Sequence, residues 1–194
     1  MRYVSAMNLL GPLAQLAGEW EGDQGLDVSY HNVEGEVAET PYREHISFKP
    51  FGPVDNGSQH LYGLDYRMAA WRVDEENPFH TEVGYWLWDA DLGHVMRAFV
   101  IPRASVLMAG GDATPESTSF TLRATAGDDG YGILSNPYLL EAAKCVSYEV
   151  TIDIGSDEFS YSEDSVLEMV KLPEPLHHTD RNVLQLVERY ELEV

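Results

Sequence analysis

Apolar and polar residues alternate with a period of two through most of this chain, and no other feature constrains its fold as strongly. Val146, Tyr148, Val150, Ile152 and Ile154 interleave with Ser147, Glu149, Thr151 and Asp153, the pattern of a strand with one dry and one wet face. Tyr42, Glu44, Ile46 and Phe48 against Arg43, His45, Ser47 and Lys49 repeat it. Residues 61–73, 79–88, 95–101, 119–125, 159–170 and 183–192 read the same way. Turn-forming clusters stand between these runs: Gly52-Pro53, Asp55-Asn56-Gly57, Asp89 to Gly93, Gly110-Gly111-Asp112, Gly127 to Gly130 and Gly155-Ser156-Asp157. Helix signal is confined to 7–16, closed by Gly18, and to a turn or two over 137–143. Many short strands with little helix predict an all-β sandwich or barrel, and 194 residues suit a single domain over 1–194.

Charge narrows the partners. Twelve Lys and Arg against 33 Asp and Glu give a formal net charge of −21. A field of that sign repels phosphate backbones and anionic membrane surfaces, so neither nucleic acid nor membrane is an expected partner. Cys145 is the sole cysteine; no intramolecular disulfide can form, which favours a cytoplasmic location. It falls on the wet parity of its strand, with no activating group beside it, and reads as a tolerated thiol rather than a nucleophile. The opening stretch is broken by Gly11 and Pro12 and does not read as a signal peptide. There is no phosphate loop, nucleophile elbow, zinc-protease helix or dinucleotide fingerprint.

Trp86 and Trp88 share one face of their strand while Tyr85 and Leu87 share the other. A strand apolar on both sides is covered on both, or has one side on an apolar cavity.

Three stretches resemble one known family. Gly18-Glu19-Trp20-Glu21-Gly22 is similar to the opening motif of the nitrobindin-like proteins, a group that includes the C-terminal haem-binding domain of a THAP-type zinc-finger protein. Residues 79–86, Phe-His-Thr-Glu-Val-Gly-Tyr-Trp, resemble a second motif of that family. Leu176-His177-His178-Thr179-Asp180 resembles the segment carrying its proximal haem histidine. Residues 84–89 and Ile101-Pro102-Arg103-Ala104 bring the chain closest to a bacterial subgroup. The resemblance implies a closed, antiparallel, about ten-stranded calycin-like barrel of the fatty-acid-binding-protein type. It also implies ferric haem on one histidine, with nitric oxide or peroxynitrite chemistry in the manner of a haem-dependent peroxynitrite isomerase. The chain departs from the family after Gly22, where Asp23-Gln24-Gly25-Leu26-Asp27 replaces a glycine-alternating run, and matching His178 to the ligand needs a shift of one residue.

On this reading His178 is the candidate metal-binding residue, with Asp180 as the partner of its second nitrogen; the plainer reading of His178-Thr179-Asp180 is a turn in which Asp180 caps backbone amides. Only one of His177 and His178 can face inward on a strand. Trp20, Tyr85 and Trp86 are candidate pocket residues, although large aromatics commonly fill cores. Arg103 is the candidate clamp for a fatty-acid carboxylate or a haem propionate; a surface ion pair is its plainer role. His80 and Glu82 share a parity and form either an exposed polar face or a proton-transfer pair. His45 and Arg43 share another face and read as partners for exterior carboxylates. Four functions stay open: a haem protein, a haem-free carrier of a fatty acid or other hydrophobic small molecule, a cavity enzyme using His80 and Glu82, and a barrel with a filled interior, alone or as a homodimer.

Overall fold

A computed structural model describes residues 9–191. Ten antiparallel strands close into a barrel: β1 (Gly18–His31), β2 (Glu36–Asn56), β3 (Gln59–Arg72), β4 (His80–Asp89), β5 (His94–Ile101), β6 (Ser105–Asp112), β7 (Ser119–Thr125), β9 (Ala143–Ile154), β10 (Glu158–Met169) and β11 (Leu176–Arg189). Each strand pairs with its neighbours, and β1 pairs β11 to complete the ring. A three-residue strand, β8 (Ile133–Ser135), pairs with the start of β6, whose far end meets β7 at Gly110 and Arg123. Among the described residues closure leaves no long unpaired edge.

A 3-10 helix, Gly11–Leu16, packs against β4 and plugs one end of the barrel with Leu10, Leu13 and Leu16, all buried. It stands where the sequence predicts a helix over 7–16, of which residues 7 and 8 lie outside the described part. Gly11 has a positive φ of 53°, and a Cβ there would sit 2.5 Å from the Trp88 ring, so only glycine lets the plug come this close. Helix α1 (Pro137–Ala142) leans on β9 and β10 at the opposite end, started by Asn136, whose side chain accepts from the Leu139 amide.

Two expectations change. Gly110-Gly111-Asp112 is not a turn but the end of β6. Its glycines serve close approach: a Cβ on Gly110 would meet the Tyr131 ring at 2.1 Å, and one on Gly111 the Thr121 carbonyl oxygen at 2.1 Å. The residues His178-Thr179-Asp180 are likewise extended within β11.

Candidate ligand cavity

Between the plug and α1 the barrel encloses a cavity of about 230 Å³. Much of its wall is apolar, including Ile46, Phe48, Phe99, Leu107, Ile152 and Phe159. The polar part comes from residues standing at dry-face positions of otherwise apolar alternations. Glu44 sits between Tyr42 and Ile46 on β2, Glu82 precedes Trp86 on β4, and Arg97 separates Val95 from Phe99 on β5.

Arg97 is the hub and is only 4% exposed. Its Nη2 donates to Glu82 Oε2 at 2.5 Å and to the Tyr66 hydroxyl at 3.0 Å. Its Nη1 donates to Glu163 Oε2 at 3.1 Å and to the Tyr148 hydroxyl. The rings of Phe99, Trp86, Tyr66 and Tyr148 surround the guanidinium carbon at 4.3 to 5.8 Å, a cation–π setting that suits arginine's planar charge. His80 Nε2 lies 3.1 Å from Glu82 Oε1. Burial alone would raise the Glu82 pKa, but Arg97 and His80 outweigh it and hold the carboxyl below its ordinary range.

Glu44 forms a second polar group. Its Oε2 accepts from the Tyr161 hydroxyl and from Asn182 Nδ2, both at 2.9 Å, and Tyr161 meets Tyr42 at 2.7 Å. Among the described residues no cation touches it, and burial pushes its pKa up to about 7. A third group stands nearer the mouth. His178 Nε2 is 2.7 Å from Asp27 Oδ1 and 3.3 Å from Asp180 Oδ2. Burial would lower the His178 pKa, but the two carboxylates raise it above its ordinary value; burial lifts Asp180 to about 7.

Two backbone irregularities decide who faces inward. The register of β1 shifts between Gly22 and Gly25 against β2, which exchanges its faces and turns Asp27 inward although Trp20 is inward too. Gly25 also lets the Tyr42 ring lie across the strand, since a Cβ there would be 2.4 Å from it. The β9–β10 register shifts beside Val166 and Leu167, skipping Val146. Cys145 thereby moves from the expected wet face onto the cavity wall, where burial pushes its thiol up to about 11.

Among the described residues, four buried side-chain polar atoms lack a partner, and a fifth, Glu19 Oε2, faces only His45 Nε2. Three of the four, Glu44 Oε1, Trp86 Nε1 and Arg97 Nε, belong to cavity-lining residues.

The sequence-derived candidates fall in different places. His178 and Trp86 line the cavity, whereas His177 points out and is 65% exposed, paired with Asp164. Trp20 is in the core, donating to the Leu16 carbonyl at 2.7 Å and packing edge-on to Phe159, and is not among the lining residues. Tyr85 has the outward parity of β4, is 52% exposed and meets Phe51 edge-to-face. Arg103 lies past the end of β5 in the turn to β6, exposed at the rim; Arg97 is the buried guanidinium. His80 and Glu82 face inward, not outward. On the exterior, His45 pairs with Glu19 at 3.1 Å and Arg43 covers Trp71. Sequence reasoning missed Arg97, Glu44, Glu163 and Asp27. The first three carried a signal, a charge on a dry parity; Asp27 did not, because the β1 irregularity hides it.

Residues 9–185 match the model of the THAP4-like, heme-binding beta-barrel domain family. The chain belongs to that family. Among solved structures, the crystal structure of Rv2717c from M. tuberculosis is similar at 20% identity, with a TM-score of 0.63, covering 95% of this chain and 99% of that one; the likeness is one of fold. No curated protein matches the chain. Among the described residues no helix is long and apolar enough to cross a membrane.

The residues of this family member do not fit a haem iron as they stand. An axial histidine needs a neutral imidazole nitrogen projecting into an apolar pocket. His178 instead engages Nε2 with two carboxylates that favour its protonated form. Among the described residues, Arg97 is the arginine buried inside, and it is already matched by two carboxylates; Arg103 stands at the rim for a propionate.

Proposed function

We propose that this barrel binds a small amphipathic molecule in its cavity without haem. The observation that supports this most is the set of three unpartnered polar atoms, Glu44 Oε1, Trp86 Nε1 and Arg97 Nε, in residues that line a partly apolar cavity. A buried polar atom without a partner costs about 1–3 kcal/mol, and a ligand that supplies partners recovers that cost while covering apolar surface. A filled interior is disfavoured by the cavity itself. Proton transfer by His80 and Glu82 is disfavoured too, because both Glu82 oxygens are engaged and its carboxyl is held ionised.

Ferric haem is the second reading, favoured by the family's description and by the place of His178 on the cavity wall. His178 would hold the iron after leaving Asp27, and haem would supply the site for nitric oxide or peroxynitrite chemistry. A titration of the protein with ferric haem, followed by visible absorbance beside His178→Ala, separates the two. The expected result is no saturable Soret shift, with 1-octanol binding measurable by calorimetry. A saturable shift lost in the variant would overturn the haem-free reading.

A further inference from the structure

The charge on the cavity wall selects among amphipathic ligands, an inference that rests on the small-molecule reading above. Five carboxylates line the cavity: Asp27, Glu44, Glu82, Glu163 and Asp180. Arg97 faces two of them, Glu82 and Glu163, so its positive charge is more than neutralised before any ligand arrives. Arg103 is exposed at the rim. An inward carboxylate, the head group of a fatty acid, would therefore meet an acidic wall with no free guanidinium to receive it.

Glu44 differs from the other inner acids. Glu82 and Glu163 each touch Arg97, Glu82 also touches His80, and Asp27 and Asp180 share His178. Among the described residues Glu44 has neutral donors alone, Tyr161 and Asn182, and both reach the same oxygen. Its Oε1 is buried and unpartnered in a side chain 3% exposed. A buried carboxylate with one satisfied and one free oxygen is an acceptor suited to a donor that brings positive charge.

We propose that the ligand is an amphipathic amine, its ammonium received by Glu44 Oε1 and its tail laid on the apolar wall. Charge-assisted hydrogen bonds of this kind are the strong ones, and the acids around the cavity disfavour the matching anion.

The test compares three molecules of equal chain length and different head group: octylammonium, 1-octanol and octanoate. Each is titrated by calorimetry into the whole protein and into Glu44→Gln, at pH 8, in 0.15 M and 0.5 M salt. Octylammonium is expected to bind the parent about tenfold or more tighter than octanoate, as one charged hydrogen bond allows. The preference persists in high salt, where attraction to the surface is screened. Glu44→Gln weakens octylammonium about tenfold and weakens 1-octanol, which brings no charge to that oxygen, by much less. Equal or tighter octanoate binding, or an amine preference that survives Glu44→Gln or vanishes in 0.5 M salt, overturns the proposal while 1-octanol binding leaves the small-molecule reading standing. Binding of none of the three overturns both. If Glu44→Gln does not fold, the head-group series at two salt concentrations on the parent decides alone.

Discussion

Glu44 makes the stability of this protein depend on pH in an unusual direction. Its carboxyl is buried without a cation, so burial raises its pKa from 4.5 to about 7 in the folded chain. The folded state then binds more protons than the unfolded one between those values, and stability falls as pH rises through that window. Two and a half units at 1.36 kcal/mol each make the full loss on the order of 3 kcal/mol above pH 7. Glu44→Gln removes this titration while keeping an oxygen to accept from Tyr161 and Asn182. The variant and parent are expected to match near pH 4.5, and the variant to be more stable at pH 8 by about that amount. For a domain of this size the difference corresponds to roughly 6 to 12 °C in melting temperature.

Urea unfolding from pH 4.5 to 8.5 measures it, with the m-value checked for constancy. Burial is opposed by Asn182 and Tyr161 and assisted by Glu82, with Arg97 lowering the value again. His80 and His178, both raised, also lose stability as pH rises, so the parent's slope alone does not isolate Glu44. The difference between parent and variant does. A difference that stays flat between pH 4.5 and 8, or one in which the parent gains on the variant, would refute the reasoning.

Arg97→Met strands Glu82 and Glu163 in the interior, and losing one partner of a buried ion pair costs about 3–5 kcal/mol. Adding Glu82→Gln in that background recovers part of the loss, read by urea unfolding. Leu13→Ala, at a fully buried position of the plug, costs about 2–5 kcal/mol and is expected to leave 1-octanol affinity within a factor of two. Cys145 reacts slowly with iodoacetamide at pH 7.5, because its thiol is pushed up to about 11, and rapidly in denaturant; equal rates would place it outside the cavity wall.

The barrel was legible because its strands alternate cleanly over long stretches, and strand pairing follows from the pattern of wet and dry faces. β7 and most of β3, β5, β9 and β10 stand where the alternation predicts them. β1 and β6 show less of it, because glycines in both make room for rings or backbone from neighbouring strands. Two register shifts hid Asp27 and Cys145, since a bulge exchanges inside for outside without marking the sequence. Glu44 and Arg97 were in plain view, each a charge inside a dry alternation. Their meaning depended on whether two such charges meet, and pairing across strands far apart in sequence decides that: Arg97 and Glu163 are 66 positions apart. Arg103 drew attention as an arginine beside a proline, yet a residue beyond a strand end has no wall to hold it inside.

The two ends of the barrel carry opposite burdens. At the plug, Leu10, Leu13, Leu16, Trp20 and Trp88 are buried, and Trp20 donates to the Leu16 carbonyl, an arrangement that favours stability. Toward the other end the same strands bring Asp27, Glu44, Asp180 and the Arg97 cluster around open space. Burying carboxylates destabilises a fold, the more so when other acids stand near, and the pKa values of Glu44 and Asp180, raised chiefly by burial, express that cost. The chain carries it within an overall charge of −21, which also repels anions from the mouth and draws cations toward it at rates that fall with salt. Surface field and cavity wall thus select in the same direction: the field sets how fast an amine arrives, and Glu44 sets whether it stays.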